Sequence, residues 1–274
     1  MKSHNIEKVK EVQLELLETL IGVCKKYNLK YCLAYGTLLG VIREGGLIPW
    51  DHDVDVFMPY KDYRKLYDLN KCEKLFDTNM KLLTYDSFNR SMRNFKLIRK
   101  NTTLATRDHV VGHLFLDIYP IFDVNDSDQT IKLMSDLSTE FKEKWFLLTD
   151  RTSVMDKVKL VTDYEDSIYY LCNESSRNKS MDLEDMVGYS YKNTEITLEK
   201  VIKYIIPKIN FDGLISIPFS GINTHVNVPD NPTVYLRKWY GNYEIPKETG
   251  EDFIIDTEID CDYYRKSGTL PNIV

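Results

Sequence analysis

The spacing of apolar residues in the first half of the chain predicts helices that alternate with short strands. Between residues 4 and 27, apolar positions recur at the spacing of one helical face, which predicts an amphipathic helix. Runs rich in β-branched and aromatic residues predict strands, and glycine or proline marks where elements end. The further predicted helices cover residues 38–43 and 61–69, and the predicted strands cover 31–34, 53–58, 81–85, 93–99 and 113–118.

The second half of the chain is predicted to begin with a mostly helical section over residues 127–207. Its apolar positions fall on one helical face, formed by Ile131, Met134, Leu137, Phe141, Trp145 and Leu148. Residues 173–195 are rich in polar residues and are predicted to form a mobile connection. A hairpin is predicted over 211–228, followed by a helix that has Asn231 as its cap and ends at Gly241.

This order of elements predicts an α+β fold, with a mixed-sheet catalytic core and a helical addition. We predict a catalytic core over residues 1–125, a helical insertion over 126–210, and a C-terminal hairpin and helix over 211–274 that pack back on the core.

Composition and charge narrow the class of protein. The formal net charge is −6 and the Lys and Arg residues are spread along the chain, which argues against a nucleic-acid partner. The five cysteines include no CxxC pair, so neither a zinc site nor a disulfide framework is predicted. The sequence shows neither a signal peptide nor a run of about 18 apolar residues. We therefore expect a cytoplasmic protein without a transmembrane segment, and peripheral contact at the inner membrane face is compatible with this.

Two aspartates in the second predicted strand are the strongest indication of chemistry. Residues two apart on a strand point to the same face, so Asp53 and Asp55 would lie roughly 7 Å apart at the backbone. Carboxylates so placed repel unless a cation lies between them, and Mg²⁺ (or Mn²⁺) bound to phosphates is the usual solution. Solvated acids on an exposed strand are the alternative, but the neighbouring apolar residues favour the metal site.

The segment before this strand predicts a phosphate site. Gly36 and Thr37 follow a strand and open a helix, which directs backbone N–H groups toward an anion. A plain helix cap at Thr37 is the alternative. Arg43, Lys96 and Arg99 are candidate phosphate partners, although each is equally compatible with a solvated cation.

Asp117 is a candidate third carboxylate, because it lies within a run of apolar residues where an unpaired acid would be costly. It is predicted either to bind metal or to accept a proton from an acceptor hydroxyl. His52 is predicted to point away from Asp53, on the opposite face of the strand. Together, Asp53, Asp55 and Asp117 form the predicted catalytic and metal-binding set of an enzyme of phosphate chemistry.

Several motifs together resemble the LicD family. The match rests on residues 30–60, 93–123 and 232–247. Its motifs are Gly36-Thr37-Leu38-Leu39-Gly40, Ile48-Pro49-Trp50-Asp51, Asp53-Val54-Asp55, Phe95-Lys96-Leu97-Ile98-Arg99, Leu116-Asp117-Ile118-Tyr119-Pro120 and Trp239-Tyr240-Gly241 with Tyr243 and Pro246.

The resemblance implies a nucleotidyltransferase-like fold, related to DNA polymerase β, and transfer of phosphocholine from CDP-choline to a hydroxyl of a cell-surface glycan or glycolipid. Relatives such as fukutin use CDP-ribitol, so the resemblance supports a CDP-alcohol donor more firmly than it supports choline. It implies that Gly36 and Thr37 hold phosphates, and that Asp53, Asp55 and Asp117 hold Mg²⁺. The chain departs from the family at His52, where a third acid is common.

Two other functions remain compatible with these residues. A nucleotidyltransferase would move NMP from a nucleoside triphosphate to a small acceptor and release pyrophosphate. A non-catalytic binding protein could also have kept the fold, although such a role does not require three clustered acids.

Overall fold

The computed structural model describes residues 3–87, 94–105, 110–124, 126–148, 152–171, 177–182, 201, 205–246, 254–256, 261 and 266–267. Its helices are α1 (Ser3–Tyr27), α2 (Tyr35–Glu44), α3 (Tyr60–Cys72), α4 (Asp128–Leu147), α5 (Val154–Tyr170) and α6 (Pro232–Tyr240). Its strands are β1 (Cys32–Leu33), β2 (Val54–Pro59), β3 (Met80–Leu83), β4 (Phe95–Ala105), β5 (Val110–Val124), β6 (Lys179–Asp182), β7 (Ile205–Pro207), β8 (Ile215–Pro218), β9 (His225–Val228) and β10 (Ile254–Asp256).

Eight strands of the described residues form one mixed sheet. Its main path is β1-β2-β5-β4-β10, with β3 added on β4, β6 on β5 and β7 on β6. The pairing of β2 with β5 is parallel, and the other described pairings are antiparallel. Strands β8 and β9 form a separate hairpin. This mixed α+β architecture confirms the predicted fold class at the level of its elements.

Alternation along the strands separates a helix-covered face of the sheet from the face that carries the acids. On β4, Phe95 stacks on Tyr63 of α3 with ring centroids 3.8 Å apart, and Arg99 contacts Glu15 of α1. Lys96 lies between them in sequence and pairs in register with Asp117 of β5. Lys96 and Asp117 therefore share the opposite face of the sheet.

The structure confirms most of the predicted elements and changes some of their limits. The first helix, the hairpin and the last helix lie where they were predicted. Helix α2 begins at Tyr35 and not at residue 38, so Gly36 and Thr37 lie within its first turn. Strands β4 and β5 extend well beyond their predicted ends, to Ala105 and Val124.

The section predicted to be mostly helical also contributes two strands to the sheet. Residues 179–182 and 205–207 form β6 and β7, and β6 pairs with the last residues of β5. The sequence of β6 is polar, but Ser180 is fully buried and its hydroxyl accepts a hydrogen bond from the Ile209 N–H. Tertiary pairing thus overrides local polarity here. Most of the predicted mobile connection, residues 183–195, lies outside the described residues.

A buried polar network joins α5 to α3 and to the 3₁₀ turn Tyr85–Ser87. Glu165 accepts a hydrogen bond from the Tyr85 hydroxyl, and the Arg64 guanidinium lies 5.4 Å from the centre of the Tyr85 ring. The Tyr60 hydroxyl donates to Asp166 over 2.6 Å. Burial raises the pKa of Glu165 to about 8, against the opposing effects of the Tyr85 hydrogen bond and of the charge of Arg64.

Replacing Glu165 by Gln should make the fold less sensitive to rising pH. An unfolded glutamate titrates near pH 4.3, so between that pH and about 8 the folded state binds the extra proton and stability falls as pH rises. We expect Glu165→Gln to match the wild-type melting temperature near pH 5 and to exceed it at pH 8. Asp163→Asn, which changes an exposed acid of the same helix, is the control and should show no such divergence. Parallel melting curves for Glu165→Gln and wild type across this range would contradict the assignment.

Candidate active site

A cavity of about 320 Å³ opens where α2, the loop before β2 and the segment after α6 meet. Helix α2 contributes Tyr35, Gly36, Leu39 and Arg43, and the loop contributes Trp50, Asp51, His52 and Asp53. Asp55 of β2 lies at its base, and the far wall consists of Tyr240, Asn242, Tyr243 and Ile245. Four of the residues predicted from the sequence therefore line one cavity: Gly36, Arg43, Asp53 and Asp55.

The start of α2 is fastened to β2 through the backbone of Asp55. The Ala34 N–H donates to the Asp55 carbonyl over 3.0 Å, and the Asp55 N–H donates to Thr37 Oγ1 over 2.8 Å. Thr37 is buried and is not the helix cap, which is Ala34 and makes no side-chain capping bond. Thr37 thus fixes the position of Asp55, and the alternative of a plain helix cap at Thr37 is excluded.

Gly36 leaves room for a carboxylate against the first turn of α2. A Cβ atom at this position would lie 2.6 Å from Asp51 Oδ2, which is closer than such contacts normally come. The first-turn N–H groups of a helix have no partner within the helix and carry partial positive charge. The arrangement brings Asp51 and an anion-attracting helix start to the same side of the cavity.

Asp55 and Asp117 lie side by side on neighbouring strands. They are directly paired in the parallel register of β2 and β5, with Asp55 7% and Asp117 5% exposed. The Tyr119 hydroxyl lies 3.0 Å from Asp117 Oδ2 and 3.4 Å from Asp55 Oδ1. Lys96 forms an ion pair with the other oxygen of Asp117. Burial raises the pKa of Asp117, while the charge of Lys96 lowers it.

Asp51 is a site residue that the candidate set left out. It lines the cavity, and burial together with the charge of Asp53 raises its pKa well above the usual carboxyl range. A hydrogen bond between the two side chains contributes to the same shift. The spacing Asp51-His52-Asp53-Val54-Asp55 contained the signal, since it places a third acid two residues before the predicted pair.

His52 does not point away from the site, which corrects the prediction. Its ring lines the cavity, and Nε2 lies 4.0 Å from Asp53 Oδ2. The physical reason is that β2 begins at Val54, so residues 51–53 form a loop and strand alternation does not govern them. Asp53 consequently reaches the cavity from this loop and not from the strand.

The three predicted phosphate partners have different surroundings. Arg43 lines the cavity, where its guanidinium pairs with Glu44 over 2.7 Å and donates to the Tyr243 carbonyl over 3.2 Å. Lys96 is ion-paired with Asp117. Arg99 is not brought to the site, because it lies three residues from Lys96 on the opposite face of β4 and pairs with Glu15 over 3.0 Å.

Aromatic side chains surround the acids, and the candidate set missed most of them. Tyr35 packs edge-on to Tyr119 and Phe57, and Trp239 of α6 contacts both Tyr35 and Phe57. Tyr240 lies close to the acids, since burial and the charges of Asp55, Asp51 and Asp53 raise its pKa. The motif Trp239-Tyr240-Gly241 was the available signal for this wall.

Comparison with known proteins finds similarity in the part of the chain that holds these acids. Residues 28–161 match the family described as LicD/FKTN/FKRP, nucleotidyltransferase domain. The chain carries a LicD-family domain. The matched residues include α2, both strands that hold Asp55 and Asp117, and Lys96, whereas the Tyr240 wall of the cavity lies beyond them.

Individual relatives match shorter segments. A stretch of 69 residues is 38% identical to the lipopolysaccharide cholinephosphotransferase LicD of Haemophilus influenzae, and covers 25% of this chain and 26% of that protein. Another of 61 residues is 38% identical to human ribitol 5-phosphate transferase FKRP, and covers 22% of this chain and 11% of that protein. A third stretch, of 131 residues, is 28% identical to protein RP689 of Rickettsia prowazekii. It covers 44% of this chain and 49% of that protein. The matches thus span at most about half the length of these relatives.

The described acids of the LicD-family domain lie near one another but do not form a complete set of metal ligands. Within the ranges that the structure describes, no three His, Cys, Asp or Glu side chains converge closely enough to hold a metal ion. Asp51 meets Asp53, and Asp55 meets Asp117 through Tyr119. In the same described part of the chain, no helix has the length and apolar character needed to cross a membrane.

Replacing Thr37 by Val should destabilise the protein by about 1–3 kcal/mol, because the buried Asp55 N–H loses the hydroxyl that accepts its hydrogen bond. Thr37→Ser keeps the hydroxyl and is the matched control. Urea unfolding of the two variants and the wild type measures the difference. Equal stability of Thr37→Val and Thr37→Ser would show that this bond does not fasten α2 to β2.

Proposed function

We propose that this LicD-family protein transfers a phosphorylated alcohol, with phosphocholine as the favoured group, from a CDP-activated donor to a hydroxyl of a cell-surface glycan or glycolipid. CMP is the second product. The observation that supports the proposal is that Asp53 and Asp55 line the cavity beside the first turn of α2, with Asp117 paired to Asp55 on the neighbouring strand. The names of two relatives, a cholinephosphotransferase and a ribitol 5-phosphate transferase, support the same class of reaction. A nucleotidyltransferase-type fold and a cytoplasmic location, with contact at the inner membrane face, belong to this proposal.

The donor pyrophosphate binds at the start of α2. The N–H groups of Gly36 and Thr37 are in the first helical turn, where backbone donors and the helix dipole favour an anion. Gly36 and Arg43 both line the cavity on the side of α2. Arg43 also holds Tyr243, so it links the phosphate end of the cavity to the aromatic wall.

A divalent cation, Mg²⁺ or Mn²⁺, completes the site. The residues fit a hard cation in their chemistry, because they supply carboxylate oxygens, and burial together with the charge of Asp53 raises the pKa of Asp51. Asp53, Asp55 and Asp117 would hold the ion, and Asp51 adds a fourth carboxylate within reach of Asp53. When bound, the ion supplies positive charge that neutralises the donor phosphates.

The reaction is a displacement at the β-phosphorus of the donor. The acceptor hydroxyl oxygen forms a bond to this phosphorus while the bond to the bridging oxygen breaks, and that oxygen leaves with CMP. The hydroxyl proton passes to a carboxylate of the Asp55–Asp117 pair. Burial raises the pKa of Asp117, and the ion pair with Lys96 opposes this effect by favouring the charged carboxylate.

The aromatic wall favours a cationic head group. A quaternary ammonium is attracted to the faces of Trp and Tyr rings, and Trp50, Tyr240 and Tyr243 all line the cavity. Asp51, Asp53 and Asp55 line the same cavity and add negative charge to it. A neutral head group such as ribitol or glycerol gains neither interaction, and on this argument phosphocholine is the favoured group.

Asp53→Asn and Asp55→Asn should each abolish turnover of the CDP-alcohol donor while the protein remains folded. Each substitution removes one negative charge from the cation site and preserves side-chain size. Product formation measured as CMP release, alongside the melting temperature, checks both parts of the expectation. Asp212→Asn, on the exposed surface, is the control and should leave turnover unchanged. Full activity in either site variant would contradict the role of that carboxylate.

Among CDP-choline, CDP-ethanolamine, CDP-glycerol, CDP-ribitol, CTP and ATP, each tested with Mg²⁺, CDP-choline should raise the melting temperature most. A ligand that binds only the folded state raises the free energy of unfolding with the logarithm of its concentration over Kd. At a ligand concentration of about 100 times Kd, the increase is about 2.7 kcal/mol. A response confined to nucleoside triphosphates would favour nucleotidyl transfer instead. No response to any ligand would favour a non-catalytic binding protein.

A further inference from the structure

We infer that Tyr119 is a positioning residue that holds Asp55 and Asp117 together as a pair. The inference rests on the proposed function, because it concerns how the two carboxylates are presented to a divalent cation. It adds to that function a residue that bears no charge and lies on the strand next to the cavity-lining Asp55.

The geometry places one hydroxyl between two buried carboxylates. Tyr119 follows Asp117 by two residues on β5, so both side chains are on the same face of the sheet as Asp55. The hydroxyl donates to Asp117 Oδ2 over 3.0 Å and reaches Asp55 Oδ1 over 3.4 Å. A tyrosine hydroxyl has one proton, so the shorter contact, to Asp117, is the stronger hydrogen bond. The contact to Asp55 is longer and weaker.

The Tyr119 hydroxyl contacts the oxygen of Asp117 that Lys96 does not contact. Lys96 contacts Oδ1 of Asp117, and the ion pair therefore leaves the repulsion between Asp55 and Asp117 on the other side of the carboxylate. Two negative groups on paired positions of adjacent strands separate unless a donor or cation lies between them. The Tyr119 hydroxyl is such a donor, because it lies within 3.4 Å of one oxygen of each carboxylate.

The position of this hydroxyl is fixed by ring packing. The Tyr119 ring contacts Tyr35 at 5.6 Å and 89°, and Phe57 at 6.2 Å and 66°, between ring centroids and planes. Trp239 packs against both of those rings, so α2, β2, β5 and α6 all contribute to the cluster. A phenylalanine at position 119 would keep these contacts and lose the hydroxyl alone.

The test is the affinity of Tyr119→Phe for Mn²⁺, measured without donor from the electron paramagnetic resonance signal of free Mn²⁺. Donors that orient ligating carboxylates typically contribute 10–100-fold to metal affinity, so we expect the Mn²⁺ dissociation constant to rise by about that factor. Without metal the variant should still unfold cooperatively, at a lower melting temperature than the wild type because Asp117 loses one hydrogen bond. At saturating Mn²⁺, kcat should fall while KM for CDP-choline is retained, because the donor-binding wall is unchanged.

Tyr235→Phe is the matched control, since its hydroxyl donates to the Lys208 carbonyl over 2.9 Å and its ring also contacts Trp239. It should bind Mn²⁺ as the wild type does. If Tyr119→Phe binds Mn²⁺ with wild-type affinity while Asp117→Asn does not bind it, the positioning role of Tyr119 is overturned and the metal site is not. Absence of Mn²⁺ binding by the wild type would overturn the metal-dependent function, and this inference with it.

Discussion

The parallel pairing of β2 with β5 is the constraint on which the rest of the site depends. It sets Asp55 directly beside Asp117, and no local feature of either strand would bring these two residues together. A shift of one residue would turn one of the two acids to the face that α1 and α3 cover. The apolar residues that alternate with the acids prevent this shift, because Val54, Val56, Leu116 and Ile118 are all fully buried.

The site is therefore assembled from three separate parts of the chain around one register. Thr37 fastens α2 to the strand that holds Asp55, and the loop before that strand delivers Asp51 and Asp53. The segment after α6 closes the far side through Tyr240 and Tyr243. Arg43 connects two of these parts by its hydrogen bond to the Tyr243 carbonyl.

Local patterns predicted the elements and the acids, but not the surroundings of each side chain. Asp55 and Asp117 stand out in the sequence because acids within apolar strands are unusual and costly, and Asp53 stands out by its spacing of two residues from Asp55. The error at Arg99 was avoidable, since its three-residue distance from Lys96 already implied opposite faces of one strand. The orientation of His52 depended on where β2 begins, and a boundary of this kind is poorly specified by sequence. The strand at Ser180 could not be predicted, because its pairing with β5 is a long-range contact that its own polar sequence does not encode.

The length of β5 ties the acids to a part of the chain far from them in sequence. One stretch of this strand, Leu116–Ile121, pairs with β2, and the final stretch, Ile121–Val124, pairs with β6. A protein shortened after residue 125 would leave the final stretch as an open edge with unsatisfied backbone donors and acceptors. Open edges of this kind recruit strands from other molecules. Strand β6 therefore protects the end of the strand that holds Asp117, although it lies beyond the predicted boundary at residue 125.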